Sequence, residues 1–437
     1  MIMTKEQAKA ILDKALSYSE SDECEVNLNG SITGNVRYAL NTVTTAGVTE
    51  DTTLVVQSAY GKKTGTATLN QFDDESIKRA VRTSEELARL SPESEEYMPI
   101  LGPQEYVEGK GFVQATADMT PEMRAQAAAN SIVPSREKGL TAAGFLNDNI
   151  SFQAMANSKG LFAYYPSTGV SFSTTIRTAD GTGSGWASRD YNDVSKLDTA
   201  KASQIAIDKS IMSQEARAIE PGKYTVVLEP AASVTLIGNM LGAFNRRTAD
   251  EGRSFMAKEG GGNKLGEKLF DERVSIHSDP QDPDAPYSPW AQDGQAFKRT
   301  QWVENGVVKN MGCSRYWAGQ HDLTPVPAPN SFTMAGGESS LEELIKGVRR
   351  GILVTRTWYI RTVDPQTQLY TGLTRDGTFF IEDGELKYPV KNLRFNESPV
   401  IMLNNLEKLG QAQRINGNMV PSMVIRDFTF SSLSDAV

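Results

Sequence analysis

Two histidines, His277 and His321, and two cysteines, Cys24 and Cys313, are the soft or borderline metal ligands that the 437 residues offer. Zinc hydrolysis needs three protein ligands around an open position and a base for the bound water, usually from a His-rich motif. Neither histidine sits in an HExxH-like pair, so both read as isolated surface or core residues. Nucleophilic catalysis is the next chemistry to weigh, since Cys313 stands in Met311-Gly312-Cys313-Ser314-Arg315, eight residues before His321. A Cys-His pair is assembled in space rather than along the chain, so this spacing favours a structural cysteine. Ser254 is available as a nucleophile too, with no motif around it.

The glycine run at residues 258–264 lacks the order of a phosphate-binding loop, because Lys264 is followed by Leu265. The Gly-Thr-Gly-Ser-Gly stretch at 181–185 lacks a strand-turn-helix frame and reads as a turn. Three prolines in residues 279–286 exclude a calcium loop of the EF-hand type. Arg246, Arg247 and Arg253, then Arg349, Arg350, Arg356, Arg361 and Arg375, form a loose set of cations suited to carboxylate capture or to ordinary ion pairs.

These residues must be positioned by elements that the periodicity predicts. Thr4 and Gln7 form a capping box for a first helix, with Ala8, Ile11, Leu12, Ala15 and Leu16 at helical spacing. Alternating runs at 24–28, 36–40, 54–60 and 64–69 predict four antiparallel strands separated by polar, glycine-bearing turns. A helix over 74–90 opens on Asp73-Asp74-Glu75 and carries Ile77, Ala80, Val81, Leu87 and Ala88. Residues 91–111, with Pro92, Pro99 and Pro103 among glutamates, read as a linker or long surface connection. Thr120-Pro121-Glu122 opens another helix, strands follow at 152–156, 161–165 and 170–177, and a helix at about 197–213. The order of helix, strands and helix thus appears twice, suggesting two related α+β layers without a letter-by-letter repeat. After Pro221-Gly222 comes an apolar strand at 224–228, then a β-rich remainder with turns at Asn305-Gly306, Asp376-Gly377 and Asp383-Gly384. The expected class is α+β, with antiparallel or mixed sheets in N-terminal layers and a β-rich C-terminal domain; the expected domains are 1–98, 112–217 and 221–437.

Composition bounds the function. Forty-five Lys plus Arg against 54 Asp plus Glu leave a formal charge of -9, which excludes a broad basic face for nucleic acid. Two cysteines cannot build a disulfide framework. No apolar run approaches the length that crosses a bilayer, and the start lacks a secretory pattern, so no membrane and a cytoplasmic setting are expected.

Several stretches in fixed order carry a resemblance: Tyr224-Thr-Val-Val-Leu-Glu-Pro230, Gly252-Arg-Ser-Phe255, Lys264-Leu-Gly-Glu-Lys268, Thr371-Gly-Leu-Thr-Arg-Asp-Gly377, Ile381-Glu-Asp-Gly384 and Pro389-Val390. With them the chain resembles the TldD/PmbA family, whose members are named modulators of DNA gyrase and are associated with a metallopeptidase. The resemblance implies that a helix after the Pro-ended strand should carry HExxxH and that a C-terminal Cys should complete a zinc site. Here those helix positions fall at Gly238, Asn239 and Ala243, and residues 409–437 contain no Cys. This departure resembles the PmbA/TldE-like branch without the zinc motif. It implies a chain that binds no cofactor itself and shapes a groove or chamber for peptides or unfolded proteins. Zinc is then expected only in a TldD-like paralogue, with a homodimer as the other possible partnership. Candidate groove residues are Arg246, Arg247, Ser254, Phe255, Trp358, Tyr359, Arg361 and Arg375. A glycine-bearing helix at 231–243 could also lie close against another backbone. The alternatives are a self-sufficient hydrolase using Cys313 or Ser254, and a protein that contacts gyrase.

Overall fold

The computed structural model describes residues 2–434. Helix α1 (Lys5–Ser17) starts with the reciprocal cap, Thr4 Oγ1 accepting from Gln7 N–H while the Gln7 side chain accepts from Thr4 N–H. Its Ala8, Leu12 and Ala15 are fully buried. Helix α2 (Asp74–Leu90) is capped by Asp73 and carries Asp74 and Glu75 at its positive end. Leu87, expected on its apolar stripe, is 45% exposed; Ser84 takes that place, its hydroxyl bonded to Ser58.

Strands β1 (Glu23–Ala39), β2 (Thr42–Tyr60) and β3 (Lys63–Leu69) replace the four that periodicity predicts. Residues 24–28 and 36–39 belong to one strand, and the glycines between them serve close approach rather than a turn. A Cβ on Gly30 would stand 2.4 Å from the Phe152 ring, and one on Gly34 2.0 Å from the Arg124 guanidinium. After α3 (Gln114–Ala117) and α4 (Pro121–Glu137), which Thr120 caps as expected, come β4 (Thr141–Asn157), β5 (Phe162–Arg177), β6 (Ser184–Tyr191) and α5 (Thr199–Met212).

All six strands join one antiparallel sheet in the order β3-β2-β1-β4-β5-β6. The two predicted layers are therefore one. Strands β1 and β4 pair from Glu25↔Asn157 to Tyr38↔Gly144, so the first strand of each half finds its partner in the other half. Even-numbered β1 residues point to the helices: Cys24, Val26 and Leu28 pack with α1 and α2, Val36 and Tyr38 with residues of α4 and α5. The odd-numbered face carries Glu25, Asn27 and Asn29 and no helix.

The C-terminal half comprises β7 (Gly222–Leu228), α6 (Pro230–Gly242), α7 (Arg246–Asp250), β8 (Ile276–Ser278), β9 (Thr300–Glu304), β10 (Val307–Val308), α8 (Arg315–Gln320), β11 (Thr333–Met334) and α9 (Leu341–Lys346). It continues with β12 (Arg350–Asp364), β13 (Leu369–Glu382), β14 (Glu385–Pro389), β15 (Leu393–Glu397), α10 (Pro399–Asn404), β16 (Leu406–Ile415) and β17 (Asn418–Leu433). Strands β7, β12, β13, β15 and β17 pair around a closed ring, because β17 bonds both β15 and β7. Helix α6 buries Leu236, Ile237 and Met240 in a core with Val226, Ile352 and Ile425. The architecture is thus α+β with a β-rich C-terminal half.

Asp383-Gly384 turns β13 into β14 as predicted, but Asp376-Gly377 does not end a strand. Both residues stay within β13 at φ 53° and 125°, and Asp376 is 3% exposed. Its carboxylate accepts from the Ser184 hydroxyl at 2.6 Å and from Arg356 Nε at 2.7 Å. This irregularity turns the charge inward, onto the seam between sheet and barrel.

Candidate functional site

The open face of the N-terminal sheet is the floor of a cleft of about 940 Å³, and the C-terminal half supplies its far wall. Adjacent strands place polar side chains side by side on that floor: the amides of Asn29 and Gln153 are registered with each other, and the Glu25 carboxyl with the Gln57 amide. Asn27 Nδ2 donates to Glu25 Oε1 at 3.1 Å, and burial pushes the Glu25 carboxyl above its usual range. Tyr165 closes one side, its phenol pushed up to about 12 by burial, with its ring edge-on to Trp290 at 6.3 Å. Asp293 and Arg315 face the floor from the other wall.

The connection at 91–111, expected as a linker, is a strap that forms part of this wall. Arg247 pairs with Glu96, Arg315 donates to Pro99 O at 2.6 Å, and Tyr106 donates to Gly294 O at 2.7 Å. On the sheet side, Glu23 accepts from Tyr97 and from Ile100 N–H and pairs with Lys159. Burial works against the Glu23 carboxylate, but the Lys159, Tyr97 and Ile100 bonds outweigh it and hold the carboxyl below its usual range. Proline and glutamate content signals exposed backbone; it cannot signal that both ends of a strap are bolted.

A second cleft, of about 690 Å³, runs along α6 and shares Ala291, Gln292, Asp293, Arg315 and Asn330 with the first. The two clefts adjoin at these residues, one over the sheet floor and the other along the helix. Gly238 and Gly242 line it. A Cβ on Gly238 would meet nothing nearer than the Phe332 ring at 3.7 Å, and one on Gly242 nothing within 4 Å. These glycines therefore open space rather than permit close backbone packing. Asn239 is exposed and does not line the cleft; Ala243 follows the helix as its C-cap, and its carbonyl accepts from Ser254 Oγ.

The donor set along α6 does not fit a zinc ion. Cys313 lines the cleft, but its thiol is buried and pushed up by that burial, so it is held protonated. His321 caps α8 with its ring against Trp317 at 4.1 Å rather than against Cys313. His277 sits on β8, its imidazole held below the usual range first by burial. Among the described residues no group of three or more His, Cys, Asp or Glu converges in a geometry that could hold a metal ion. Both cysteines are free and buried.

The groove residues predicted from sequence separate into two groups. Arg246 pairs with Asp250, and Arg247 with Glu96 and Glu251 while lying over Trp317. Ser254 Oγ accepts from Met256 N–H in a turn, and Phe255 is buried against Phe244. The second group lies on the arm of β12 and β13. There Arg375 stacks over Trp358, Arg361 stacks over Tyr359, and both aromatic rings are exposed. None of the eight lines either cleft. The residues that do, Glu25, Asn27, Asn29, Gln57, Gln153 and Arg315, escape sequence reading. Their alternation with Cys24, Val26 and Leu28 marks a solvated face, but whether another domain stands over that face is not a local property.

A two-part α+β chain, with helices on one face of a six-stranded sheet and a small closed barrel beside the other part, is the class these features define. The PmbA/TldA metallopeptidase domain 1 matches residues 24–88, the central domain 113–216 and the C-terminal domain 221–432. The chain belongs to the PmbA/TldD family. A metalloprotease of Methanothermobacter thermautotrophicus is 26% identical over 296 residues, 61% of this chain and 62% of that protein, so the match spans less than two thirds of its length. The metalloprotease PmbA of Escherichia coli O157:H7 is 20% identical over 95% of this chain and 93% of its own. Among solved structures, TldE from Thermococcus kodakarensis matches with a TM-score of 0.87 at 18% identity, covering 97% of this chain and 100% of that one. A Thermotoga maritima protein described as a modulator of a DNA gyrase matches with a TM-score of 0.86 at 16% identity and the same coverage.

Proposed function

We propose that this chain is the zinc-less subunit of a PmbA/TldD-type metalloprotease assembly, working in the cytoplasm, and that its joined clefts hold unfolded peptide. The observation that carries the reading is that the polar sheet floor and the α6 cleft share lining residues, and that in the latter Gly238 stands at a position that carries a zinc ligand in the HExxxH pattern. Asn and Gln side chains offer both a donor and an acceptor to a peptide group without selecting its side chain. Such a floor suits extended backbone of varied sequence. Glu25 and Asp293 would favour a cationic group on the peptide, and a zinc-bearing paralogue would supply the bond-breaking step. A hydrolase acting alone through Cys313 or Ser254 receives no support from the surroundings of either residue, and no feature of the clefts favours gyrase as a partner.

The test uses the purified chain with an unstructured fluorescent peptide, metal analysis and a cleavage assay. Saturable peptide binding, substoichiometric zinc and no turnover alone are expected, with cleavage appearing on addition of a relative that carries HExxxH. Stoichiometric zinc with turnover by the isolated chain would refute the reading.

A further inference from the structure

The two adjoining clefts differ in chemistry. Gly238 and Gly242 stand about one turn apart on α6 and leave open space there. The walls around that space are apolar, with Leu241, Phe297, Val326 and Phe332 among its lining. Pro327 and Pro329 also border it, and neither has an N–H to offer a passing backbone. A bound chain therefore gains little there from its peptide groups and most from an apolar side chain removed from water. The cleft, at about 690 Å³, has room for an aromatic ring.

Negative charge gathers where the clefts meet. Asp293 borders both, and its charge acts on Glu25 across the floor. Among the described residues neither carboxylate closes a salt bridge. Arg315 lines both clefts as well, but its guanidinium donates to Pro99 O. Glu23, the other acid of the floor, is already matched by Lys159. Two carboxylates against one guanidinium leave one negative charge without a counterpart. The burial that raises the Glu25 carboxyl also reduces the screening of its charge by water, which strengthens its attraction for a cation.

We infer that these clefts select peptides in which a lysine or arginine lies within three residues of a bulky apolar side chain. The cation pairs with Glu25 and Asp293, and the apolar side chain enters the space beside Gly238. The spacing is short because Asp293 borders both clefts, and three residues of extended chain span ~10 Å. The inference rests on the peptide reading and narrows it from any unfolded chain to those that carry this pair.

Fluorescence anisotropy on the full chain reads the result with four unstructured Gly/Ser peptides of equal length. One carries Lys and Phe two residues apart, one Lys alone, one Phe alone and one neither. All are acetylated and amidated, so that lysine supplies the sole cation. Phe should tighten binding at least about tenfold, and Lys about three- to fivefold. Raising the salt to about 0.5 M should remove the lysine gain and leave the phenylalanine gain. Asp293→Asn should remove the preference for Lys alone; it keeps an oxygen for the Gln295 N–H that Asp293 now accepts. Gly238→Leu should remove the preference for Phe alone. Four equal affinities, or preferences that neither variant moves, would overturn the inference and leave the peptide reading standing. Absence of binding by all four peptides would overturn that reading and the inference with it.

Discussion

Gly238→Leu separates the α6 cleft's role in binding from its role in folding. A Cβ at Gly238 meets only the Phe332 ring, at the ordinary contact distance of 3.7 Å, and the side chain extends into a cleft of about 690 Å³. The Cβ itself meets no clash, and replacing a mid-helix glycine by leucine gains about 0.5–1 kcal/mol of helix propensity. For a folding unit of the C-terminal half's size this corresponds to a rise in Tm of about 1–4 °C. The same side chain obstructs the path from the sheet floor to the helix, so peptide affinity should fall at least about tenfold, or ~1.4 kcal/mol. Gly242→Trp, where nothing lies within 4 Å, should act in the same direction. Asn239→Leu is the control, on the same helix but outside the cleft lining, and should leave binding unchanged. Thermal melts and fluorescence anisotropy on the three variants decide the matter. Peptide binding within about twofold of wild type for both glycine variants would mean that peptide does not run past α6. A loss of more than about 1 kcal/mol of stability would mean that the cleft is needed for packing.

Other outcomes follow from the same geometry. Asp376→Ala removes the carboxylate that compensates Arg356, whose guanidinium burial already holds below its usual range, and it strands the Ser184 hydroxyl. About 3–5 kcal/mol of destabilisation is expected in denaturant unfolding, with partial recovery when Arg356→Met removes the stranded charge as well. Glu25→Gln should stabilise the chain at neutral pH. The folded carboxyl is raised by burial, so the native state binds more protons than the unfolded state between the two pKa values, and stability falls as pH rises through that window. The gain from Gln should vanish below the unfolded value, and pH-dependent melts on both proteins check the sign. Native chain should react slowly with thiol reagents near neutral pH, because burial raises both the Cys24 and Cys313 thiols; fast modification of Cys313 would reopen the nucleophile reading.

Local physics was legible from the chain alone wherever the deciding interaction is local. The Thr4 and Gln7 box, the Asp73 and Thr120 caps and the Asp383-Gly384 turn are set by groups a few residues apart, and they appear where their letters place them. The family was legible as well, because ordered stretches from Tyr224 to Val390 survive as letters, and so was the absence of HExxxH at Gly238, Asn239 and Ala243. Tertiary structure decided the rest, because the deciding partners are remote in sequence. Gly30 and Gly34 look like turn residues until Phe152 and Arg124 press against them. Asp376-Gly377 carries a turn signal that the buried Arg356 and Ser184 contacts override. Glu25, Asn27, Asn29, Gln57 and Gln153 become a groove floor only because a strap and a second domain close over one face of the sheet, and a strand's alternation tells which residues share a face but not what stands opposite it.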